Sequence, residues 1–256
     1  MPLGFLPSPK KMNKIAVIGG SHFASLKNLV ITHSTSVKTP YGEPSAPLSY
    51  GILGNQEVVY LPRRGSQQPM PPHQINFRAN IWALRDAGVQ TVIATAAVAG
   101  IHDFVPGDVV LPNQLIDYTY GRENTFLGES SESDVIHVNF TEPYSEKLRQ
   151  QIITQAQKLG AKIATSATYA ITQGPRFETA AEIERIARDG CHLVGMTGMP
   201  EAALARELGL DYACIALVVR KAPSITPFDA SILSEGEKCV EDLVEAIILD
   251  DALAGV

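Results

Sequence analysis

The stretch from Gln173 to Glu207 constrains the fold most, because within it the apolar pattern switches from helical to extended and back. A Gly-Pro turn at Gly174-Pro175 leads into a segment where Ala181, Ile183, Ile186 and Ala187 recur at three- and four-residue spacing, the mark of a helix with one buried face. After the Asp189-Gly190 break, His192 to Gly195 is a short apolar run that reads as a buried strand. Met196-Thr197-Gly198-Met199-Pro200-Glu201 ends that strand and opens a second helix, with Pro200 suited to the first helical position because its missing N–H would have no partner there. Helix, strand and helix in this order belong to an α/β sheet, where ligands sit beyond the carboxyl ends of strands. The turn after Gly195 is the first place to expect a site.

The flanking sequence extends the same alternation. Lys14 to Ile18 is an apolar strand running into Gly19-Gly20-Ser21-His22, where glycines let backbone N–H groups approach an anion but equally make a plain turn. Glu57 to Leu61 is strand-like and delivers Arg63-Arg64-Gly65; paired guanidiniums there suit a phosphate, and suit a solvated basic turn as well. Pro71-Pro72-His73 precedes a helix over Gln74 to Leu84, with Ile75, Ala79 and Trp82 on one face. A strand over Thr91 to Thr95 should end in a loop, Ala96 to Gly100. A turn and strand over 106–117 then lead to a polar loop, Tyr118 to Ser133, and His137 reads as a half-buried histidine of a strand over Val135 to Val138. A helix over Ser145 to Leu159, a strand over Ile163 to Ile171, a strand over Tyr212 to Val219 and a helix over Leu233 to Leu253 complete the chain. The sum is an α/β fold, a single domain over residues 14–256 with a mixed central β-sheet flanked by helices, after a loose N-terminal extension at 1–13.

At 256 residues and 45% hydrophobic composition the chain can bury a full core. Its net charge of −6 opposes a nucleic-acid surface, which would require a basic face. No apolar run approaches the roughly 18 residues of a spanning helix, so no membrane partner is expected. Cys191, Cys214 and Cys239 lack metal-ligand spacing and suggest neither a zinc site nor a disulfide framework. The Pro-broken N-terminus has no signal-peptide core, which points to the cytoplasm.

Three long motifs carry a resemblance: GPRFET at 174–179, GMTGMPEAALARELGL at 195–210 and PPHQINFRANIWAL at 71–84. The chain resembles the trimeric purine nucleoside and methylthioadenosine phosphorylases from about Lys14 to about Val219, and within them the bacterial branch acting on S-methyl-5'-thioinosine. The resemblance implies a nucleoside phosphorylase-like fold. It also implies cleavage of an N-glycosidic bond by inorganic phosphate, a co-substrate, with no metal and no further cofactor. The cation-like sugar of such a transition state needs an anion grip on one side and donors for the departing purine on the other. The resemblance assigns Ser21, Arg63, Arg64, the backbone at Ala97 and Thr197 to phosphate, with Ser21, Arg63 and Arg220 counted as the catalytic groups. Met196 would floor the ribose and Phe177 would stack on the base, although both types are commoner as core residues. His137 would reach the 5' end of the nucleoside across a subunit boundary, so the implied partner is a second copy of the chain in a homotrimer.

Base choice falls to Glu178 and Arg220. Related enzymes carry Asp at the latter position for 6-aminopurines and Asn for 6-oxopurines. Arginine offers donors only, which fits the O6 and N7 acceptors of a 6-oxopurine, while Glu178 would accept from N1–H. The expected substrate is therefore S-methyl-5'-thioinosine, with S-methyl-5'-thioadenosine second. Departures at His22, Arg64, Ala96 and Arg220 cluster where relatives handle phosphate or base. They leave an alternative: a catalytically weak or inactive homologue that binds a planar aromatic ligand after Arg220 turns outward.

Overall fold

A computed structural model describes residues 14–20, 23, 26–65, 69–127, 137–224 and 230–250. The expected extension at 1–13 and the phosphate-loop residues Ser21 and His22 lie outside the described residues.

Two long strands organise the fold. β1 (Lys14–Gly19) leads by way of an antiparallel meander, β2 (Val30–Thr35), β3 (Leu48–Leu53) and β4 (Gln56–Pro62), to a 3-10 turn at Pro72–Gln74 and helix α1 (Phe77–Asp86). Then come β5 (Val89–Gly100), β6 (Val109–Val110), β7 (Gln114–Asp117), α2 (Glu146–Leu159), β8 (Ile163–Ala164), β9 (Thr168–Ile171), α3 (Ala180–Arg188), β10 (Leu193–Gly195), α4 (Glu201–Glu207), β11 (Asp211–Lys221) and α5 (Ala230–Ile248). β5 is the hub: it runs parallel to β1 and β11 and, at its far end, antiparallel to β10. From that hub the sheet continues through β4, β3 and β2 on one side, through β9 and β7 on another, and from β11 to β6 and β8.

Side-chain alternation along β1 assigns the two faces. Ala16 and Ile18 join Phe77, Ile81 and Leu84 of α1 and Ala202 and Leu204 of α4 in one cluster, whereas Ile15 and Val17 join Leu148 and Ile152 of α2 and Val240, Leu243, Val244 and Ile247 of α5 in another. Sheet faces covered on both sides explain why β5 and β11 read as nearly unbroken apolar runs. A satellite cluster of Ile183, Ile186, Cys191 and Val194 seats α3 on the distal part of the sheet.

Several boundaries differ from the sequence reading. Ala96 to Gly100 is no loop: β5 continues to Gly100 because Ala216 to Lys221 of β11 supply ladder partners. α1 begins at Phe77 rather than 74, since the Asn76 side chain accepts from Ala79 N–H and caps it there. Pro200 takes the cap position of α4 instead of its first turn. His137 is exposed and belongs to no strand.

Candidate functional site

The C-terminal ends of β1, β4, β9, β10 and β11 converge on one side of the sheet around the far half of β5. A cavity of about 310 Å³ opens there, lined by Gly20, Arg63, Arg64, Ala97, Phe177, Met196, Thr197 and Arg220 among others. Six of the sequence-expected positions flank β5 from elements up to 157 residues apart in number, Arg63 to Arg220, and the fold gathers them into one wall with Ala97 of β5 itself. His137 does not line it within its own chain.

At the end of β4 Arg63 is only 2% exposed. Its Nε and Nη2 donate to the two carboxylate oxygens of Glu201 at 2.7 and 2.9 Å, and Nη1 donates to the Thr95 carbonyl at 2.7 Å. Burial lowers its pKa, but the Glu201 charge and hydrogen bonds outweigh burial and raise it, so the guanidinium stays cationic. Thr95 also accepts from Gly20 N–H at 3.0 Å, fixing the strand-end glycine beside the same wall. Arg64 donates from Nε to the Met70 carbonyl at 2.8 Å. Thr197 is half-buried on the wall, and the Tyr169 side chain is fully buried. Ala96 is buried and contributes no donor side chain.

At the end of β11 Arg220 turns inward. Its guanidinium carbon stands 4.3 Å from the centroid of the Phe177 ring, and its Nη2 donates to Glu178 Oε2 at 3.3 Å. The other carboxylate oxygen of Glu178 accepts from the Thr172 hydroxyl at 2.6 Å. Phe177 remains 54% exposed. The outward Arg220 on which the planar-ligand alternative depends is therefore not the conformation observed.

The turn carrying Phe177 and Glu178 is built rigidly. Thr179 caps α3 in a reciprocal box with Glu182, and hydrogen bonds from Arg176 and from the Thr179 N–H hold the Glu182 carboxyl down at about 2. Gly174 sits at φ +61, where the backbone favours glycine, and a Cβ there would come within 2.6 Å of the Met196 sulfur and displace that side chain. On the other side of this turn a second cavity of about 190 Å³ is lined by Tyr118, Gln173, Arg176, Glu178 and Arg185 among others.

The sequence profile described as Phosphorylase superfamily matches residues 14–248. The chain belongs to the phosphorylase superfamily. It is 49% identical over 212 residues, 82% of this chain and 86% of the relative, to a probable S-methyl-5'-thioinosine phosphorylase of Pseudomonas syringae pv. tomato. It is 42% identical over 245 residues, 93% of this chain and 91% of the relative, to the 6-oxopurine nucleoside phosphorylase of Pyrococcus furiosus. Among solved structures, the methylthioadenosine phosphorylase of Schistosoma mansoni in complex with tubercidin superposes with a TM-score of 0.85 at 33% identity, covering 92% of this chain and 90% of that one.

Within this phosphorylase, sequence reasoning missed the residues that hold the site together. Arg122, read only as part of a polar loop, donates to the Gln173 side chain at 3.1 Å, to the Gln173 carbonyl at 2.9 Å and to the Met199 carbonyl. It thus ties the base-side turn to the start of α4. The sequence places Glu201 in the turn that opens the second helix, and only the fold pairs it with Arg63, 138 positions away. No helix among the described residues is long and apolar enough to cross a membrane.

Proposed function

We propose that this phosphorylase cleaves S-methyl-5'-thioinosine with inorganic phosphate to give hypoxanthine and 5-methylthioribose 1-phosphate, a purine-salvage reaction of the cytoplasm. The observation that carries this reading is the single cavity in which Arg63, Arg64 and Thr197 share a wall with Met196, Phe177 and Arg220. Phosphate is held by the two arginines, Thr197, the Ala97 backbone and Ser21. Met196 lies under the sugar and Phe177 under the purine. The anion and the base then bracket the sugar, and the charge that leaves with the purine meets a guanidinium fixed in advance.

The base preference follows from exchange of partners at Glu178. Arg220 is held there by one long hydrogen bond, 3.3 Å, and by another of 3.5 Å to the Ser224 carbonyl. A 6-oxopurine replaces the first with its N1–H and presents O6 and N7 to the released guanidinium. Adenine lacks the N1 proton and opposes donor with donor. The relatives at 49% and 42% identity, an S-methyl-5'-thioinosine and a 6-oxopurine phosphorylase, lie on the same side of this choice, whereas the structural neighbour at 33% identity is a methylthioadenosine phosphorylase. The deciving experiment compares kcat/KM for methylthioinosine and methylthioadenosine at saturating phosphate. Preference for methylthioinosine is expected, whereas equal or greater turnover of methylthioadenosine refutes the assignment.

The active unit is a homotrimer in which the exposed His137 completes a neighbour's site at the 5' end of the nucleoside. Mixing refolded His137→Ala subunits with Arg63→Ala subunits tests this. Activity above that of either parent supports a shared site; strictly no recovery in hybrid trimers opposes it.

A further inference from the structure

The pair formed by Arg63 and Glu201 is more deeply enclosed than phosphate binding by itself requires. Arg63 is 2% exposed and Glu201 0%. Glu201 comes from the first turn of α4, and its Oε1 also accepts from the Tyr212 hydroxyl of β11 at 2.8 Å. Thr95 of β5 takes a third hydrogen bond from the guanidinium, at 2.7 Å. Two elements, α4 and β5, therefore grip the side chain that β4 presents at its end, and β11 braces the first of them through Tyr212. Of the five N–H bonds of the fork, these contacts use Nε–H and one each on Nη1 and Nη2, leaving one on each terminal nitrogen. Gly20 abuts that end of the fork, since a Cβ there would lie 3.4 Å from Nη1, and Gly20 and Arg63 both line the cavity.

We propose that Glu201, steadied by Tyr212, is the positioning residue of the anion half-site, setting the plane and rotation of the Arg63 guanidinium so that its two unspent N–H bonds meet inorganic phosphate. The inference rests on the phosphate-site reading above and adds to it a group that touches no substrate. A planar fork held by a side-on carboxylate has no rotational freedom left to lose when the anion arrives, so its remaining donors are pre-aimed. Tyr212 matters because Glu201 could otherwise pivot about its own last torsion and carry the guanidinium with it. A pair serving stability alone would need none of this aim toward the cavity.

The test uses the full-length protein and two substitutions, Glu201→Gln and Tyr212→Phe. Inorganic phosphate binding is read by titration calorimetry, and KM is measured separately for phosphate and nucleoside. Glu201→Gln replaces one acceptor oxygen by a donor facing the guanidinium, and phosphate affinity should fall by about tenfold or more. Tyr212→Phe keeps the ring that stacks on Tyr144 and removes only the hydroxyl, and the fall should be about threefold. In both, the nucleoside KM should stay within about twofold. Should Glu201→Gln fail to fold, Tyr212→Phe decides alone. Unchanged phosphate affinity in Tyr212→Phe, or phosphate and nucleoside KM rising together, overturns the proposal, as does a wild-type protein that binds no phosphate. A wild type that binds phosphate but releases no purine with it sinks phosphorolysis instead, and the calorimetric comparison still decides the role of Glu201.

Discussion

Arg220 is the side chain on which the proposed base preference turns. A guanidinium 4.3 Å above the Phe177 ring lies over a face that a purine could use, so a bound base either displaces it or stacks on the opposite face. The hydrogen bonds of Arg220, 3.3 and 3.5 Å long, are near the limit of useful geometry, and a base that donates to Glu178 replaces the partner the carboxylate loses when Arg220 leaves. Replacing it by a carboxylate reverses the donor pattern. In Arg220→Asp the ratio of kcat/KM for methylthioinosine over methylthioadenosine should fall by about tenfold to a hundredfold, the worth of one or two hydrogen bonds to a charged group. Parallel kinetics on the two nucleosides measure it; an unchanged ratio would separate Arg220 from base choice. This residue was legible in the sequence because it stands where a buried strand ends. Its resting partner Glu178 was legible only as a base acceptor, since nothing in the spacing says that the two side chains meet.

The elements that matter most are those that carry the turn from Thr172 to Glu178. Arg122 bonds to Thr172, Gln173 and Met199 and is half-buried, and desolvation lowers its pKa, so its contacts are made in a sparsely solvated setting. Arg122→Ala should therefore loosen the turn, raising KM for the nucleoside by about tenfold while the phosphate KM moves little. Initial-rate measurements with each substrate varied in turn distinguish this from general unfolding, which would lower kcat without splitting the two constants. The helices α2, α3 and α5 and the strands β1, β4 and β11 were readable from apolar period and caps. The second half of β5 was not: Ala96, Ala97, Ala99 and Gly100 are poor strand formers, and ladder partners on β10 and β11, distant in sequence, overrule local propensity. Arg122 was invisible for a related reason, since a lone arginine in a polar stretch has no periodic signal.

For the molecule as a whole, the interior carries several acids that burial holds in their neutral form. Burial pushes the Cys214 thiol up to about 12 from 9.0 and the Tyr60 phenol up to about 12 from 10.0, and it raises Tyr144 and Tyr212 well above 10.0. The folded chain then keeps protons that the unfolded chain loses. Stability from this source is intact below about pH 9 and declines as pH rises from about 9 to about 12, by up to about 1.4 kcal/mol per pH unit for each fully titrating group. Urea midpoints at pH 8 and pH 10.5 should differ accordingly, and a flat profile would mean that these groups are not shielded. The same enclosed interior places α4 and β11 directly behind the anion wall, so fold and site share their most buried charges.

The most direct test is the initial rate of hypoxanthine release from methylthioinosine with phosphate absent and with phosphate added in increasing amounts. A rate that is negligible without phosphate and rises to saturation with it, with 5-methylthioribose 1-phosphate formed mole for mole, is the expected result. No release at high enzyme concentration, or release indifferent to phosphate, contradicts a cavity that holds anion and purine on opposite sides of one sugar.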